Sequence, residues 1–216
     1  PVIGFSQKKA NGTIYIEHPA LDVVDAFTKA MVKGDTAAMS KMMTDNFRSF
    51  NPVTSSPYTK GRDKASFLGM AMWMHSNLDY FSIERMEGSY PDAFEYAKDP
   101  SDDNAVTVES WDIFKGVHNK TGVKADMLMH RSFVLTKDNM IRNVSQYMNP
   151  EFGNDLNDAY TERKNGTIYS QHENINKLRL MLAAAENGDG EKYYSFFTEK
   201  AMFRDINNEE SMTLEE

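Results

Sequence analysis

The chain contains no cysteine. This absence excludes disulfide bonds, thiolate-ligated zinc and cysteine nucleophiles, although it does not decide the compartment. No run of about 18 apolar residues occurs, because the richest stretch, Phe67–Met74, is short, and this argues against a membrane-spanning helix. The formal net charge is −8 and no basic stripe is present, so the sequence predicts neither a nucleic-acid nor an anionic-membrane partner.

Recognisable catalytic and cofactor motifs are also missing. The sequence has no Gly-x-Ser-x-Gly motif, no phosphate loop and no dinucleotide fingerprint, so we expect no cofactor. Among the histidines, His118 and His130 fall on neighbouring predicted strands, but no third ligand follows at a suitable spacing. We therefore expect no metal site.

The composition is that of an ordinary globular protein, with 40% apolar and 26% charged residues in a chain of 216. This length accommodates one large domain or two small ones. The first residues, Pro1–Gln7, are similar to the end of a cleaved secretion signal, which would make the protein secreted or periplasmic. The alternative is an ordinary terminus and a cytoplasmic protein.

The sequence repeats itself near its two ends. The string Asn-Gly-Thr-Ile-Tyr at residues 11–15 recurs at residues 165–169, a shift of 154 positions. Further identities follow at the same shift without a gap: His18 with His172, Ala30 with Ala184, Gly34–Asp35 with Gly188–Asp189, and Thr44 with Thr198. A repeat of this extent predicts a tandem duplication.

The duplication predicts the domain organisation: an N-terminal segment at 1–16, a first domain at 17–150, a linker at 151–171 and a partial second copy at 172–216. The linker prediction rests on Pro150, Gly153 and the polar run Asn154–Asp158. The second copy stops 18 residues after Thr198, where the first copy continues into strands. We therefore expect either that the natural protein is longer or that the fragment packs on the first domain or on a neighbouring chain. For the tandem copies we also expect a homodimer or an intrachain pseudo-dimer.

Helical spacing predicts three helices in the first copy. The first follows Pro19 and ends at Gly34, and Asp35 is the expected N-cap of a short second helix. The third runs from Arg62 to about Asn77.

The repeated histidines also have a predicted role. His18 and His172 stand at the start of each copy in the same register, which predicts a structural role such as a cap on the first helix.

After the third helix the apolar period changes from helical to alternating. Together with an earlier strand at Phe47–Phe50, strands are predicted at Tyr80–Glu87, Ala93–Ala97, Ala105–Val117, Val123–Thr136 and Met140–Met148. Helices followed by a meander of long antiparallel strands predict an α+β fold, with the sheet wrapped around the helices.

This order of elements resembles the nuclear transport factor two-like superfamily, and within it the bacterial SnoaL-like branch that includes polyketide cyclases and ketosteroid isomerases. The matching features are Gly34–Asp35 between two helices, Thr44-Asp45-Asn46 before a strand that ends at Asn51–Pro52, and hairpins that end in Ile141–Tyr147. The resemblance covers roughly Ala20–Pro150 and again Asn174–Asp205. It implies a cystatin-like α+β roll, in which a curved antiparallel sheet and three helices form a cone with an apolar pocket at its open end.

The catalytic residues that this resemblance implies for an isomerase are mostly replaced. The position of the general base is Asn51, whose amide cannot accept a proton. The position of the tyrosine donor is Phe27, and the partner acid falls near Arg131. In the second copy Asp205 lies opposite Asn51 and is a candidate base, although Met181 at the donor position lacks a hydroxyl. The resemblance thus implies a pocket but argues against isomerase chemistry in the first domain.

Alternation within the strand predicted at 123–136 places Met129 and Arg131 on one face. If this face lines the cone, Arg131 is a buried cation that needs either an anionic ligand or an internal acid. The alternative is a salt bridge from Arg131 to Asp112 or Glu109 on the adjacent strand.

Three other residues are candidates for the pocket. Gln146 on the last strand has an amide that can hydrogen-bond a ligand, and Tyr58 precedes the third helix near the pocket mouth. Trp73 belongs to a cluster with Met70, Met72 and Met74 that is typical either of an adaptable pocket wall or of ordinary core. The full predicted set is Asn51, Tyr58, Trp73, Asp112, Met129, Arg131 and Gln146.

The leading functional hypothesis is a protein that binds a small hydrophobic or carboxylate-bearing molecule in an apolar cone. One alternative is a lyase, cyclase or isomerase that uses a non-standard residue set, such as Asp112 or Arg131. Another is a protein-interaction or dimerisation module that uses the outer face of the sheet.

Overall fold

The computed structural model describes residues 10–56, 59–97, 105–161, 164–165, 168–169, 171–204 and 211–213. Within these ranges the helices are α1 (Pro19–Val32), α2 (Thr36–Lys41), α3 (Lys64–Asn77), α4 (Glu151–Tyr160), α5 (Glu173–Glu186) and α6 (Gly190–Tyr194). The first eight strands are β1 (Gly12–Tyr15), β2 (Met43–Phe50), β3 (Arg62–Asp63), β4 (Leu78–Arg85), β5 (Asp92–Tyr96), β6 (Val106–His118), β7 (Lys124–Leu135) and β8 (Ile141–Met148). Four two-residue strands follow: β9 (Lys164–Asn165), β10 (Ile168–Tyr169), β11 (Phe203–Arg204) and β12 (Ser211–Met212). None of the helices in the described ranges combines the length and the hydropathy needed to cross a bilayer.

One curved sheet contains the first eight strands, in the order β1-β5-β6-β7-β8-β2-β3, with β4 also paired to β6. The predicted α+β class is therefore confirmed, but the sheet is not purely antiparallel. Strand β2 runs parallel to β8, with Ser49 opposite Val144 and Phe50 opposite Ser145. These two strands are far apart in the chain, so no tight hairpin forces them to be antiparallel.

An aromatic core lies between helices α1 and α3 and one face of this sheet, which we call the inner face. In α1 the side chains of Ala20, Val24, Phe27 and Met31 recur at helical spacing and are almost completely buried. The Phe27 ring lies 6.0 Å from the Phe67 ring of α3 and 6.1 Å from the Phe133 ring of β7. Burying each such ring stabilises the fold by roughly 1.5–3 kcal/mol.

The elements expected from the periodicity lie close to their predicted positions. The third helix starts at Lys64 rather than Arg62, because Arg62–Asp63 forms the short strand β3 beside β2. Asp63 then caps α3, since its Oδ1 accepts a hydrogen bond from the Ser66 N–H at 2.8 Å.

Two segments differ from the sequence-based expectation. Residues 12–15 were assigned to the N-terminal segment, but they form the edge strand β1, which pairs antiparallel with β5. The segment 151–171 was predicted as a linker from its polar composition, but its first part forms α4. An amphipathic polar helix of this kind is easily mistaken for a linker, because only Ala159 in it is buried. Residues 1–9, which include the possible signal remnant, lie outside the described residues.

The chain divides into two compact units, which meet at residue 150 as the predicted domains do but differ from them in two earlier segments. The first unit comprises Pro1–Ser76, Phe81–Lys115 and Asp126–Pro150, and the second comprises Asn77–Tyr80, Gly116–Ala125 and Glu151–Glu216. Within the second unit, Leu180 and Ala183 of α5 pack with Val117 at the end of β6. These contacts bury Leu180 and Ala183 of α5 inside the second unit.

The predicted histidine caps are confirmed. His18 precedes α1 with φ −158°, and its Nδ1 accepts a hydrogen bond from the Ala20 N–H at 3.1 Å. His172 precedes α5 with φ −160°, and its Nδ1 accepts a hydrogen bond from the Asn174 N–H at 3.1 Å. Each imidazole satisfies one of the backbone donors that a helix start leaves unpaired.

The predicted cap at Asp35 is confirmed as well, and Asp189, the residue 154 positions later, forms a cap with nearly the same geometry. Asp35 accepts from the Ala38 N–H at 2.8 Å, and Asp189 accepts from the Lys192 N–H at 3.1 Å. The preceding glycines, Gly34 and Gly188, have φ values of +69° and +67°. Glycine favours this left-handed conformation because it has no Cβ.

Candidate functional site

A pocket of about 370 Å³ lies in the first unit, where β2 and β8 end beside α3. Its apolar wall is formed by Phe50, Met70, Met74 and Met148. The polar lining consists of the amides of Asn51 and Gln146, the side chain of Arg62, and the hydroxyls of Ser49, Thr54, Ser55 and Thr59. The described lining thus contains one cation, several hydrogen-bond donors and no carboxylate.

Helix α3 supplies the methionine wall through one of its faces. Met70 and Met74 are four residues apart, so they project from the same side of the helix toward the pocket. Met72 and Trp73 are not among the residues that line this pocket, and they are 40% and 41% exposed. The role predicted for Trp73 therefore stays a prediction from the sequence, and the described lining of this pocket does not include its side chain.

Asn51 follows β2 and holds the loop that borders the pocket. Its Oδ1 accepts a hydrogen bond from the Val53 N–H at 3.1 Å, and its backbone carbonyl accepts from the Ser55 N–H at 2.8 Å. Because the side-chain oxygen is used in this turn, the amide N–H groups are the part of Asn51 available to a ligand. Among the described residues, neither a carboxylate nor a histidine hydrogen-bonds to Asn51.

Gly61 brings the next residue, Arg62, to the pocket. Gly61 has φ +70°, and a Cβ at this position would lie 2.6 Å from a ring carbon of Phe50 and 2.7 Å from the carbonyl oxygen of Ser49. Only glycine fits so close to β2, and the contact places Arg62 in the pocket lining.

Arg62 has no acidic partner within the described part of the chain. Its Nη1 lies against the Sδ atom of Met70, at 2.5 Å. Arg62 was not predicted as a site residue from the sequence, because an exposed arginine near a helix start is usually an ordinary surface residue. The available signal was the Gly61–Arg62 pair directly after the polar loop.

The strand register brings four of the predicted site residues into one row on the inner face. Gln146 of β8 lies directly opposite Arg131 of β7. Asn51 follows Phe50, which is opposite Ser145, so Asn51 and Gln146 are neighbours across β2 and β8. Asp112 on β6 lies on the other side of Arg131, to which it is hydrogen-bonded.

Arg131 and Asp112 form a buried ion pair, with side chains that are 2% and 4% exposed. The Nε and Nη2 atoms of Arg131 each lie 2.9 Å from Oδ2 of Asp112, and the Ser110 hydroxyl donates to the same oxygen at 2.6 Å. Burial lowers the pKa of Arg131, and the carboxylate of Asp112 opposes that change. Of the two alternatives for Arg131, the structure contains the salt bridge to Asp112.

One polar atom of this pair has no partner. Nη1 of Arg131 is buried and makes no hydrogen bond within the described residues. Met129, also on the predicted inner face, is 2% exposed and lies opposite Met148 of the pocket wall. Met129 and Arg131 are therefore placed behind the present lining rather than in it.

Glu109, the other predicted partner of Arg131, lies on the outer face of the sheet. Its Oε1 accepts a hydrogen bond from the Ser132 hydroxyl at 2.7 Å, and its Oε2 lies 2.9 Å from Nε2 of His130. The His130 ring lies against Trp111 and Tyr147, with centroid distances of 5.1 and 5.4 Å.

His118 is separate from this cluster and lies in the second unit, where β6 ends. It is 1% exposed, and its Nδ1 lies 2.9 Å from the Thr121 hydroxyl oxygen and accepts from the Thr121 N–H at 3.3 Å. Burial lowers the pKa of His118. Within the described ranges, no three side chains of His, Asp or Glu are grouped in a way that would hold a metal ion.

Two predicted site residues, Tyr58 and Asp205, lie outside the described residues. Their roles remain predictions from the sequence.

A curved sheet that encloses helices and a pocket at one end defines an α+β roll. No protein-family model matches the chain, and no curated protein matches it in sequence. Several solved structures are similar in the arrangement of their helices and strands. PrhC from Penicillium brasilianum is 9% identical, with 84% of this chain and 98% of that chain covered and a TM-score of 0.49.

Two further similar structures have less of this chain covered. BvnE pinacolase from Penicillium brevicompactum is 8% identical over 64% of this chain and 92% of its own, with a TM-score of 0.48. A hypothetical protein with a ketosteroid isomerase-like fold from Catenulispora acidiphila, in complex with trimethylamine, is 11% identical over 58% and 84%, with a TM-score of 0.42. At these identities the likeness concerns the fold alone.

Proposed function

We propose that this protein binds a small apolar molecule that carries a carboxylate, in the pocket bordered by β2, α3 and β8. The observation that carries the proposal is the side chain of Arg62, which lines the pocket and has no acidic partner among the described residues. An arginine in such a position can bind a carboxylate through two parallel hydrogen bonds.

The remaining lining supports an anionic and partly apolar ligand. Asn51 presents its amide N–H groups, and the loop hydroxyls of Thr54, Ser55 and Thr59 supply further donors. The methionines on α3 and β8 form a flexible apolar wall that adapts to differently shaped hydrocarbon groups. A pocket with a few polar groups on an apolar surface is the usual form of a small-molecule site.

The alternative of a lyase, cyclase or isomerase has less support. General acid–base catalysis needs a group that accepts or donates a proton near the reacting atom. The described lining has no carboxylate and no histidine, and Asp112 is engaged by Arg131 and Ser110 behind it. We therefore propose binding rather than turnover.

The test compares the binding of decanoate and decanamide by isothermal titration calorimetry at about 0.15 M salt, where distant charges are screened. We expect decanoate to bind the wild-type protein at least about 10-fold more tightly than decanamide, because a hydrogen-bonded charge pair contributes about 1.5–3 kcal/mol. The Arg62→Met variant should lose this preference for the carboxylate.

Lys60→Met is the matched control. It removes one positive charge two residues away, but Lys60 does not line the pocket. The Lys60→Met variant should keep the preference of the wild type. Equal affinity for the acid and the amide in the wild-type protein, or no binding of either, contradicts the proposal.

Self-association through the outer face is a second candidate function, favoured by the aromatic row Trp111, His130 and Tyr147. Tyr147 and the nearby Leu128 are 41% and 65% exposed. Exposed apolar groups that cluster on one face of a sheet are typical of an interface, and a two-fold dimer uses the same patch on both copies. The proposed partner is a second copy of this chain.

Sedimentation-equilibrium measurements on Tyr147→Glu and Tyr90→Glu test this second candidate. Tyr90 is 73% exposed and is not part of the aromatic row, so it serves as the control. We expect a dimer in the wild-type protein and in Tyr90→Glu, and a monomer in Tyr147→Glu. A monomeric wild-type protein rules out association through this face.

We also propose that the two repeated segments are tandem copies of one unit. The matching caps at His18 and His172, and the matching turns at Asp35 and Asp189, support this proposal. Replacing residues 33–38 by the sequence of residues 187–192 should keep both the turn and the cap. We expect the exchange to lower the free energy of unfolding by less than about 1 kcal/mol. Replacing the same six residues by a glycine–serine sequence, which lacks the aspartate cap, should lower it more.

A further inference from the structure

The guanidinium group of Arg131 can donate hydrogen bonds from more than one edge, and only the edge formed by Nε and Nη2 has an acceptor among the described residues. Its Nε and Nη2 atoms both face Oδ2 of Asp112 on β6. In a planar guanidinium group these two nitrogens form one edge, so Nη1 lies on the other edge, away from Asp112. On the side of β7 that faces away from β6, the neighbouring strand is β8, and it places Gln146 directly opposite Arg131.

The unused Nη1 atom is buried and makes no hydrogen bond within the described residues. A buried N–H without an acceptor costs about 1–3 kcal/mol, and more when the group is charged. Native structures keep few such groups, and each one calls for an explanation such as an unseen acceptor. An acceptor that approached Nη1 from the Gln146 side would satisfy it.

Gln146 connects this donor to the pocket. It is half-buried and lines the pocket, while its backbone is paired with that of Arg131. The Gln146 Nε2 atom makes only a weak contact with the Sδ atom of Met129, at 4.0 Å. Long, unbranched side chains such as those of Gln146 and Met129 can move at little cost, which would open a path from the pocket to Nη1.

We propose that the pocket has a second, inner subsite, in which Nη1 of Arg131 donates a hydrogen bond to a neutral oxygen of the ligand. This inference rests on the proposed function, since Arg62 binds the carboxylate at the other end of the same molecule. The ligand class is thereby narrowed to apolar acids that carry a second oxygen acceptor, such as a ketone, some distance from the carboxylate.

The test measures the dissociation constants of decanoate and of its keto derivatives with the carbonyl at carbon 4, 6 or 8. A hydrogen bond from a charged donor should make at least one keto acid bind the wild-type protein about 10-fold more tightly than decanoate. In Arg131→Lys, which keeps a cation for Asp112 but removes Nη1, we expect the ratio of the keto-acid affinity to the decanoate affinity to fall to about 1.

A second measurement does not depend on the stability of that variant. The side-chain ¹⁵N–¹H signals of Arg131 in the wild-type protein should shift on addition of the preferred keto acid and not on addition of decanoate. The Lys60→Met protein, which differs from the wild type only at a residue outside the lining, should give the same result.

The outcomes separate the inference from the proposed function. Equal binding of decanoate and all keto acids overturns the inner subsite and leaves the carboxylate site standing, with a buried water as the partner of Nη1. A keto preference that persists in Arg131→Lys, or unchanged Arg131 signals, also overturns the inner subsite. If none of the acids binds, both proposals fail.

Discussion

Arg131 and Asp112 meet at a single oxygen atom. Oδ2 of Asp112 receives both Nε and Nη2 of Arg131 at 2.9 Å and the hydroxyl of Ser110 at 2.6 Å. The Arg131 guanidinium also lies 5.1 Å from the centre of the Phe133 ring, which adds a cation–π contact. The inner face of the sheet therefore carries a buried charged pair next to the aromatic core.

Removing one partner of this pair should be strongly destabilising. We expect Asp112→Ala to lower the free energy of unfolding by about 3–5 kcal/mol, because Arg131 would be left as an uncompensated buried charge. Urea unfolding followed by circular dichroism measures this change. A loss below about 1 kcal/mol would indicate that water reaches Arg131 and solvates it.

Replacing both partners should cost less than replacing one. The double variant Arg131→Met and Asp112→Leu leaves no buried charge and roughly conserves side-chain volume, so it should recover most of the stability lost in Asp112→Ala. The same urea experiment measures it. A double variant that is as unstable as the sum of the two single variants would mean that the residues act independently.

His118 should make stability depend on pH between neutrality and mild acid. Burial lowers the pKa of His118 below its ordinary value of 6.5, with Lys120 acting in the same direction, so protons bind more readily to the unfolded chain. The contribution of His118 to the free energy of unfolding should therefore be constant above pH about 6.5 and should be lost as the pH decreases through the folded-state pKa.

The measurement is a series of urea unfolding curves from pH 8 to pH 5. The His118→Gln variant should have a flatter profile over this range. His75→Gln serves as the control and should keep the slope of the wild-type protein, since it leaves His118 in place. A wild-type profile that rises toward pH 5 would contradict the prediction.

The order of elements could be predicted from the sequence because the periodicities are strong. The alternation of Met129, Arg131 and Phe133 places these three side chains on the inner face, and they are 2%, 1% and 0% exposed. The parallel pairing of β2 with β8 could not be predicted, because local patterns do not specify which distant strands become neighbours. The edge strand β1 was missed because its side chains remain largely exposed.

The candidate site was predicted only in part, for a similar reason. Asn51 and Gln146 were found because they stand on predicted strands at the inner face. Arg62 is exposed and follows a loop, so periodicity gave no indication of its role. Trp73 was predicted as a pocket residue from composition alone, and α3 is apolar around most of its circumference, so the sequence does not show which of its apolar side chains face the pocket.

The two histidine caps should contribute similar amounts of stability. His18→Ala and His172→Ala each remove an acceptor from a helix start, so each should cost about 0.5–2 kcal/mol. Asparagine is a good capping residue, and His172→Asn should therefore restore most of the loss. Amide hydrogen exchange at Ala20 and Asn174, the two residues whose N–H groups are capped, measures the effect. Unchanged protection in the alanine variants would show that water replaces the imidazole at no cost.

Asp35 and Asp189 offer a comparison of two caps with nearly the same geometry but different surroundings. Both have φ near −80°, at −78° and −82°. Asp189 also accepts a hydrogen bond from the Tyr80 hydroxyl at 2.9 Å, and burial together with this bond raises the pKa of Tyr80 to about 12. Tyr80 itself has φ +54°, which costs about 1–2 kcal/mol for a residue with a Cβ.

We expect Asp189→Ala to increase hydrogen exchange at the Lys192 amide more than Asp35→Ala increases it at the Ala38 amide. The additional loss in the free energy of local opening should be about 1 kcal/mol. The reason is that the Tyr80 hydroxyl loses its acceptor, and this hydrogen bond no longer stabilises the left-handed backbone of Tyr80. In a Tyr80→Phe background the two aspartate substitutions should have equal effects, because each then removes only the hydrogen bond that caps its helix. If the difference survives in Tyr80→Phe, its cause lies in α6 itself and not in the bond between Tyr80 and Asp189.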